Sequence, residues 1–292
     1  VEDARVIAVD LGGTKVLAGL VDAAGNVERT VEHPTPVDSQ AELLRGLEVA
    51  VEALRTPETR AVGFGVPARV DERTGKVLGA VNIPLGDLRL ADELERRLGL
   101  PVGVVNDGGA AALAELRFGA GRGLSDLVLL TLGTGVGGGV VIGGRLYRGW
   151  AELGHMVIVE NGERCAGACL GRGHVEAYCS GTAVDRLAER VLGPGATAHD
   201  LVRERNPALA EVGVHLGTAI GSLINIFSPE AILIAGGFGV AAFDQLLPAA
   251  RPQIDREALS PGGPDVPVVL AELGSEAGLV GAALVAFEAL ER

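Results

Sequence analysis

Lysine is nearly missing from this chain. Lys15 and Lys76 are the only two in 292 residues, and arginine supplies the rest of the 25 basic side chains. Against 38 acidic residues the net charge is −13, which argues against a nucleic-acid or anionic-membrane partner, because both require clustered Lys and Arg. Cysteine is also scarce. Three residues, an odd and low count, exclude a disulfide-rich scaffold and fit a reducing cytoplasm. No uninterrupted apolar run reaches the about 18 residues of a membrane-spanning helix. The opening "VEDARVIAVDLGG" begins acidic and carries no cleavage pattern, so it does not read as a signal peptide.

What the chain has is apolar residues, 48% of the total, and 44 glycines. Short apolar runs end at glycine clusters. "RVIAVD" (5–10) reads as a buried strand, "KVLAGLVD" (15–22) as a second and "VERTVEH" (27–33) as a third. Leu43, Leu44, Leu47, Val51 and Leu54 recur at helical spacing from Asp38 to Arg55. "AVGFGVPARV" (61–70) is a strand running into a proline turn, and 90–99 is an amphipathic helix. "PVGVVND" (101–107) is a strand delivering Asn106 and Asp107 to its C-terminal edge, ahead of a small-residue helix over 108–119.

"DLVLLTLGTGVGGGVVIGGRLYRG" (126–149) repeats the strand, glycine turn, strand, turn order of "RVIAVDLGGTKVLAGLVDAAGNV" (5–27) about 120 residues downstream. Each glycine turn carries a threonine, Thr14 or Thr134, which reads as an internal duplication. Helices over 180–192, 198–204 and 207–227 follow. "EAILIAGGFG" (230–239) adds a strand and a third glycine turn, 265–273 a late strand, and 276–290 a closing helix. The expected architecture is α/β with two lobes and a cleft between them. The smaller lobe spans 1–105 joined by the closing helix 276–292, and the larger spans 106–275.

"GTGVGG" (133–138) matches the dinucleotide fingerprint only formally, because a β-like segment and not a helix follows it. A glycine-tipped hairpin instead offers successive backbone N–H groups as a nest for an anion. Two matched tips and "IAGGFG" point to a bound polyphosphate. "DLGGTK" adds a carboxylate, a hydroxyl and the rare Lys15. The set Cys165-x3-Cys169-x4-His174, with His155 ten residues upstream, has the donor types and spacing of a Zn²⁺ site. Gly167, Gly171 and Gly173 would let the loop wrap the ion. A glycine loop with unliganded thiols and a Cys165–Cys169 disulfide are the alternatives. Cys179 reads as a small buried residue.

These motifs resemble, in order and over essentially the whole chain, the ROK family within the actin-like (ribonuclease H-like) sugar kinases. "DLGGTK" is similar to its first phosphate motif, "GFGVPARVD…GKVLGAVNIP" to its sugar loop and "NDGGAAALAE" to its catalytic strand–helix junction. "LGTGVGGGVVIGGRLYRG" is similar to its second phosphate motif, "AELGHM" and "CAGACLGRGHVEAYCSG" to its signature, and "PEAILIAGG" to its adenosine motif. The resemblance implies ATP-dependent phosphorylation of a hexose, glucose first and fructose, mannose or an N-acetylhexosamine next. A non-catalytic sugar sensor on the same fold is the reading from a different class.

By the same resemblance Asn82, Asn106, Asp107, Glu152, His155 and Glu176 contact the sugar, with Asp107 as general base. Gly12, Gly13, Thr14, Lys15, Gly133, Thr134, Gly135, Gly236 and Gly237 would hold ATP, and Asp10 would organise Mg²⁺. His155, Cys165, Cys169 and His174 would hold a structural Zn²⁺, with His174 standing where the family usually has a third cysteine. A metal-bound histidine can present its second ring N–H to a sugar oxygen. Ala68 and Gly109 depart from the family's usual Gly and Asn. No DNA-binding segment is expected before the first strand, and the expected assembly is a cytoplasmic homodimer or higher oligomer.

Overall fold

The computed structural model describes residues 4–71, 73–80, 82–165, 169–259 and 265–291. The chain begins with β1 (Arg5–Leu11), β2 (Lys15–Asp22), β3 (Val27–Pro34), α1 (Gln40–Glu52), β4 (Thr59–Val66), β5 (Ala68–Asp71), β6 (Lys76–Ala80) and β7 (Leu88–Arg89). Next come α2 (Leu90–Leu98), β8 (Val102–Asn106), α3 (Asp107–Phe118), β9 (Leu127–Leu132), β10 (Val136–Ile142) and β11 (Arg145–Leu146). The remainder holds α4 (Glu176–Cys179), α5 (Gly181–Leu192), α6 (Ala198–Arg203), α7 (Leu209–Phe227), β12 (Ala231–Ala235), α8 (Gly237–Glu257), β13 (Val268–Leu270) and α9 (Ala277–Ala289).

Contacts divide the chain into two compact units, Val1–Phe118 with Leu146–Trp150 and Ser275–Arg292, and Gly119–Arg145 with Ala151–Gly274. The first unit centres on a sheet of order β3-β2-β1-β4-β8, the second on one of order β11-β10-β9-β12-β13. In each, an antiparallel hairpin leads into two parallel strands: β1 pairs with β2 and then β4, β9 with β10 and then β12. The repeat read from the two glycine turns is therefore a repeat of sheet topology. The boundary falls after α3, not before it, because α3 packs on α9. A Cβ on Gly281 would lie 1.9 Å from the Ala110 carbonyl oxygen, so the two helices meet backbone to backbone.

In the first unit α9 covers one sheet face, where Val6, Ala8 and Ala61 meet Leu279, Ala282 and Ala286. The other face buries Ile7, Val9 and Phe64 against Leu43 and Leu47 of α1 and Leu90 and Leu94 of α2. The alternation of strand side chains sorts these two sets. In the second unit the sheet packs against α5, α7 and α8. Among the described residues α7 is the one helix long and apolar enough to cross a membrane, and over half of it is buried in this core. It lies close to α8, where a Cβ at Gly213 or Gly217 would sit 2.5 Å from the Leu246 or Ala250 carbonyl oxygen.

Helix α8 has no counterpart in the sequence reading, which leaves 240–264 unassigned. Pro248 and Pro252 lie inside it, and each removes a helix hydrogen bond. Packing along α7 carries the helix through both. All three cysteines are free thiols, so the disulfide alternative is not realised.

Replacing Gly281 by Ala separates two effects of opposite sign. Helix propensity alone would favour Ala by about 1 kcal/mol, but the new methyl has no space between two backbones. We expect Gly281→Ala to lower unfolding stability by about 2 kcal/mol or more, measured by urea denaturation. A neutral or stabilising result would show that α3 and α9 part easily.

Candidate functional site

The first unit brings its site residues to the C-terminal edge of β1, β4 and β8. Strand β1 ends beside the turn to β2, placing Asp10 opposite Leu17 and next to Gly65 of β4. The turn closes through Gly12 N–H donating to the Lys15 carbonyl at 2.8 Å. Thr35, buried between Pro34 and Pro36, donates its N–H to the Thr14 carbonyl at 2.9 Å and its hydroxyl to the Gly12 carbonyl at 2.8 Å. Two of the three carbonyls of the turn are thereby engaged, which suits a tip that offers amide hydrogens to an anion. Asn82 is exposed and stands at this tip, its Cβ 3.6 Å from where a Gly13 Cβ would be. Lys15, expected to neutralise phosphate, instead pairs with Glu32 of β3 at 2.9 Å, both largely exposed. Lys15 shares a sheet face with Leu17, whose register partner on β3 is Glu32, so the pair forms diagonally across the two strands.

Asn106 and Asp107 sit where β8 becomes α3. The Asn106 amide oxygen accepts from Gly108 N–H at 3.0 Å, capping the helix, and its NH₂ donates to the Ala68 carbonyl at 3.1 Å. Asn106 thus ties the first turn of α3 to β5, at the position where Ala68 departs from the family pattern. Asp107 is exposed in the first helical turn, at the positive end of the helix dipole. Asp10 is more enclosed. Burial first, and the Asp107 carboxylate second, raise its pKa to about 6 against the opposing pull of Lys15. The floor under Asp10 is Gly278, at the start of α9, where a Cβ would lie 2.9 Å from the carboxyl carbon.

The second unit carries the other tip, Gly133-Thr134-Gly135, between β9 and β10. Its carbonyls are also engaged from outside the hairpin. Gly133 accepts from Gly181 N–H at 2.7 Å and Thr134 from the Thr182 hydroxyl at 2.8 Å, both at the start of α5. Ser180, fully buried, caps that helix by accepting from Ala183 N–H at 3.1 Å. Glu176 reaches this tip as well, accepting Val136 N–H at 3.0 Å, and a Cβ on Gly135 would lie 2.5 Å from the same carboxylate oxygen. The turn bearing Glu152 and His155 rests on β10, since a Gly154 Cβ would come within 2.0 Å of the Val136 carbonyl oxygen. Both of those side chains are exposed. Gly236 and Gly237 lie where parallel β12 turns into α8, next to the end of β9: a Gly236 Cβ would be 2.5 Å from the Leu132 carbonyl oxygen. Gly237 opens on free space.

Donor atoms of His155, Cys165, Cys169 and His174 all lie within 4.8 Å of one another, so this cluster can hold a metal ion. Tetrahedral coordination with bonds of about 2.0–2.3 Å sets donors roughly 3.3–3.8 Å apart. The His155 and His174 Nδ1 atoms are 3.3 Å apart, and Cys169 Sγ is 3.8 and 3.7 Å from them. Cys165 Sγ to His174 Nδ1, at 3.0 Å, is the one short pair. Backbone pairing of Ile158 and Val159 with Gly173, and of Val175 with Met156, holds the loop shut. Gly167 lies outside the described residues. Both histidines turn Nδ1 inward. The other nitrogen of His174 faces Gly171, whose Cβ would be 2.6 Å from it, which leaves His155 as the histidine with a ring nitrogen to offer.

Thr35, Thr182 and Gly278 were not singled out by the sequence reading. The first stands between two prolines and the second follows a Ser-Gly cap, but neither signal names a hydrogen-bond acceptor. Gly278 carries no local signal.

The Asp10 shift makes stability depend on pH. Its folded pKa, about 6, exceeds the ordinary 3.8, so stability is fullest below about pH 4 and falls as pH rises through 6. In metal-free protein at about pH 7.5 we expect Asp10→Asn to be more stable than wild type by about 1–2 kcal/mol, after allowance for its partial exposure. The two should converge near pH 4 in thermal melts. Equal stability at the higher pH would refute the burial of charge.

Comparison with known proteins agrees over the whole length. The model of the ROK family matches residues 6–289. A glucokinase of Streptomyces coelicolor is 35% identical over 97% of this chain and 97% of its own length. An N-acetylmannosamine kinase of Shigella flexneri is 31% identical over 96% of this chain and 98% of its own. The crystal structure of a ROK family glucokinase from Streptomyces griseus in complex with glucose and AMPPNP superposes with a TM-score of 0.80, at 34% identity, over 98% of this chain and 100% of that one. With the repeated hairpin sheets and the ordered motifs, these matches establish that the chain belongs to the ROK family.

Proposed function

We propose that this chain is an ATP-dependent hexose kinase that converts glucose to glucose 6-phosphate. The observation that carries the reading is the junction of β8 and α3, where Asn106 fixes the helix start and leaves the Asp107 carboxylate exposed near Asp10. Phosphoryl transfer needs positioning and charge stabilisation more than covalent help. Asp107 accepts the hydroxyl proton as the transfer proceeds, and a loose transition state needs that proton to leave only late. Asn82, Asn106, Glu152, His155 and Glu176, the positions that the family resemblance assigns to the sugar, supply the donors and acceptors that a ring of hydroxyls requires. The two glycine tips and the Gly236–Gly237 turn take the nucleotide. Asp10, with its raised pKa beside a second carboxylate, is the residue to hold Mg²⁺, which when bound neutralises phosphate charge.

The Cys/His cluster is a structural Zn²⁺ site with all four positions filled by protein. Burial and the adjacent Cys169 push the Cys165 thiol up to about 12 in the metal-free state, and coordination reverses that preference. Zinc would fix the tautomer of His155 and so direct its second N–H. The kinship with an N-acetylmannosamine kinase keeps an N-acetylhexosamine as the second substrate reading, and the Ala68 departure lies beside Asn106, whose NH₂ its carbonyl accepts.

Two measurements test these assignments. Asp107→Asn keeps shape and loses the proton acceptor, so kcat should fall about 10³-fold with glucose affinity retained. A tenth or more of wild-type kcat would remove Asp107 from the role. Cys169→Ser should raise the glucose KM much more than the ATP KM and lower a zinc content near one per chain. Metal-free protein with unchanged glucose affinity would refute both the ion and its role.

A further inference from the structure

A polar cavity, about 300 Å³, opens in the second unit beside α4 and α5. None of Glu152, His155 and Glu176 lines it. Three arginines do: Arg172 from the metal loop, and Arg186 and Arg190 from α5. None of the three has an ion-pair partner among the described residues. Arg186 and Arg190 are one helical turn apart on the same face, an arrangement of like charges that weakens a helix. In a chain with a net charge of −13, three unpaired guanidiniums around one cavity mark a place for an anion.

The rest of the lining narrows the ligand. Tyr178 and His215 form a wall of two rings 4.2 Å apart at an angle of 34°. The Tyr178 hydroxyl already accepts Glu163 N–H at 2.7 Å, which leaves its own hydrogen to donate. The carboxylates of Glu163 and Glu211 also line the cavity and can accept from hydroxyls. A single carboxylate is satisfied by one arginine fork, whereas a phosphate dianion accepts from several directions at once. We propose that this cavity is a second binding site, for a hydroxylated phosphate monoester of the sugar-phosphate type. The bound anion would bridge the metal loop, through Arg172, to α5, whose first residues hold the Gly133–Thr134 tip. Its occupancy therefore bears on the metal loop, which His155 precedes and Glu176 follows. The regulatory consequence rests on the proposed kinase activity, while the anion site itself does not.

The test is calorimetric titration of glucose 6-phosphate into the full chain held saturated with glucose and AMPPNP, which keeps the probe out of the proposed active site. A dissociation constant of about 1 mM or tighter is expected. The double variant R186Q/R190Q and, from the other wall, R172Q should each weaken binding about tenfold or more while AMPPNP affinity stays within about twofold. No binding to wild type up to about 10 mM, or wild-type affinity in the variants, overturns the proposal. Failure of the kinase reading would appear separately, as lost glucose or AMPPNP binding in wild type.

Discussion

Backbone meets backbone throughout this protein, and the site depends on it. Helix α9 returns from the end of the chain to lie on β4 and β8, where a Cβ on Gly63 would come within 1.8 Å of the Ala282 carbonyl oxygen and one on Gly103 within 2.3 Å of Val285. The same helix supports α3 at Gly281 and sets Gly278 beneath Asp10. A methyl group at any of these points would lift the helix off the sheet, with consequences for the acidic residue at the strand end. Close packing of this kind transmits displacement because interiors have few voids to absorb it.

Both glycine tips engage their carbonyls in the same way. A hairpin tip has carbonyls as well as amides, and carbonyls repel phosphate. Thr35 takes two of the turn's carbonyls in the first unit, and Gly181 with Thr182 takes two in the second. The two threonines come from unrelated segments, one after β3 and one at the head of a helix. The requirement thus lies in the electrostatics of the tip and not in the duplicated sequence.

The acidic pair and the Cys/His cluster show burial working in the same sense, toward the neutral form. Asp10 is held where its charge is unfavourable without a cation, at a cost in stability that function can require. Cys165 is likewise pushed toward its neutral form. In each case burial disfavours a charge that a bound cation would compensate.

The sequence alone was enough to read the strand and helix order of the first unit, the duplicated hairpins and the four donors of the metal cluster. These readings rest on local signals: apolar runs with a period of two or 3.6, glycine at strand ends, and donor spacing within one loop. Helix α8 was not legible, because Pro248 and Pro252 are locally unfavourable and only packing on α7 outweighs them. The place of α3 in the first unit, the diversion of Lys15 to Glu32, and the reach of Glu176 to the Val136 amide were equally hidden. Each depends on contacts between residues far apart in the chain, made by atoms whose partners no local pattern specifies. Residue types and their spacing determined which chemistry was available; the tertiary structure decided which side chains remained free to perform it.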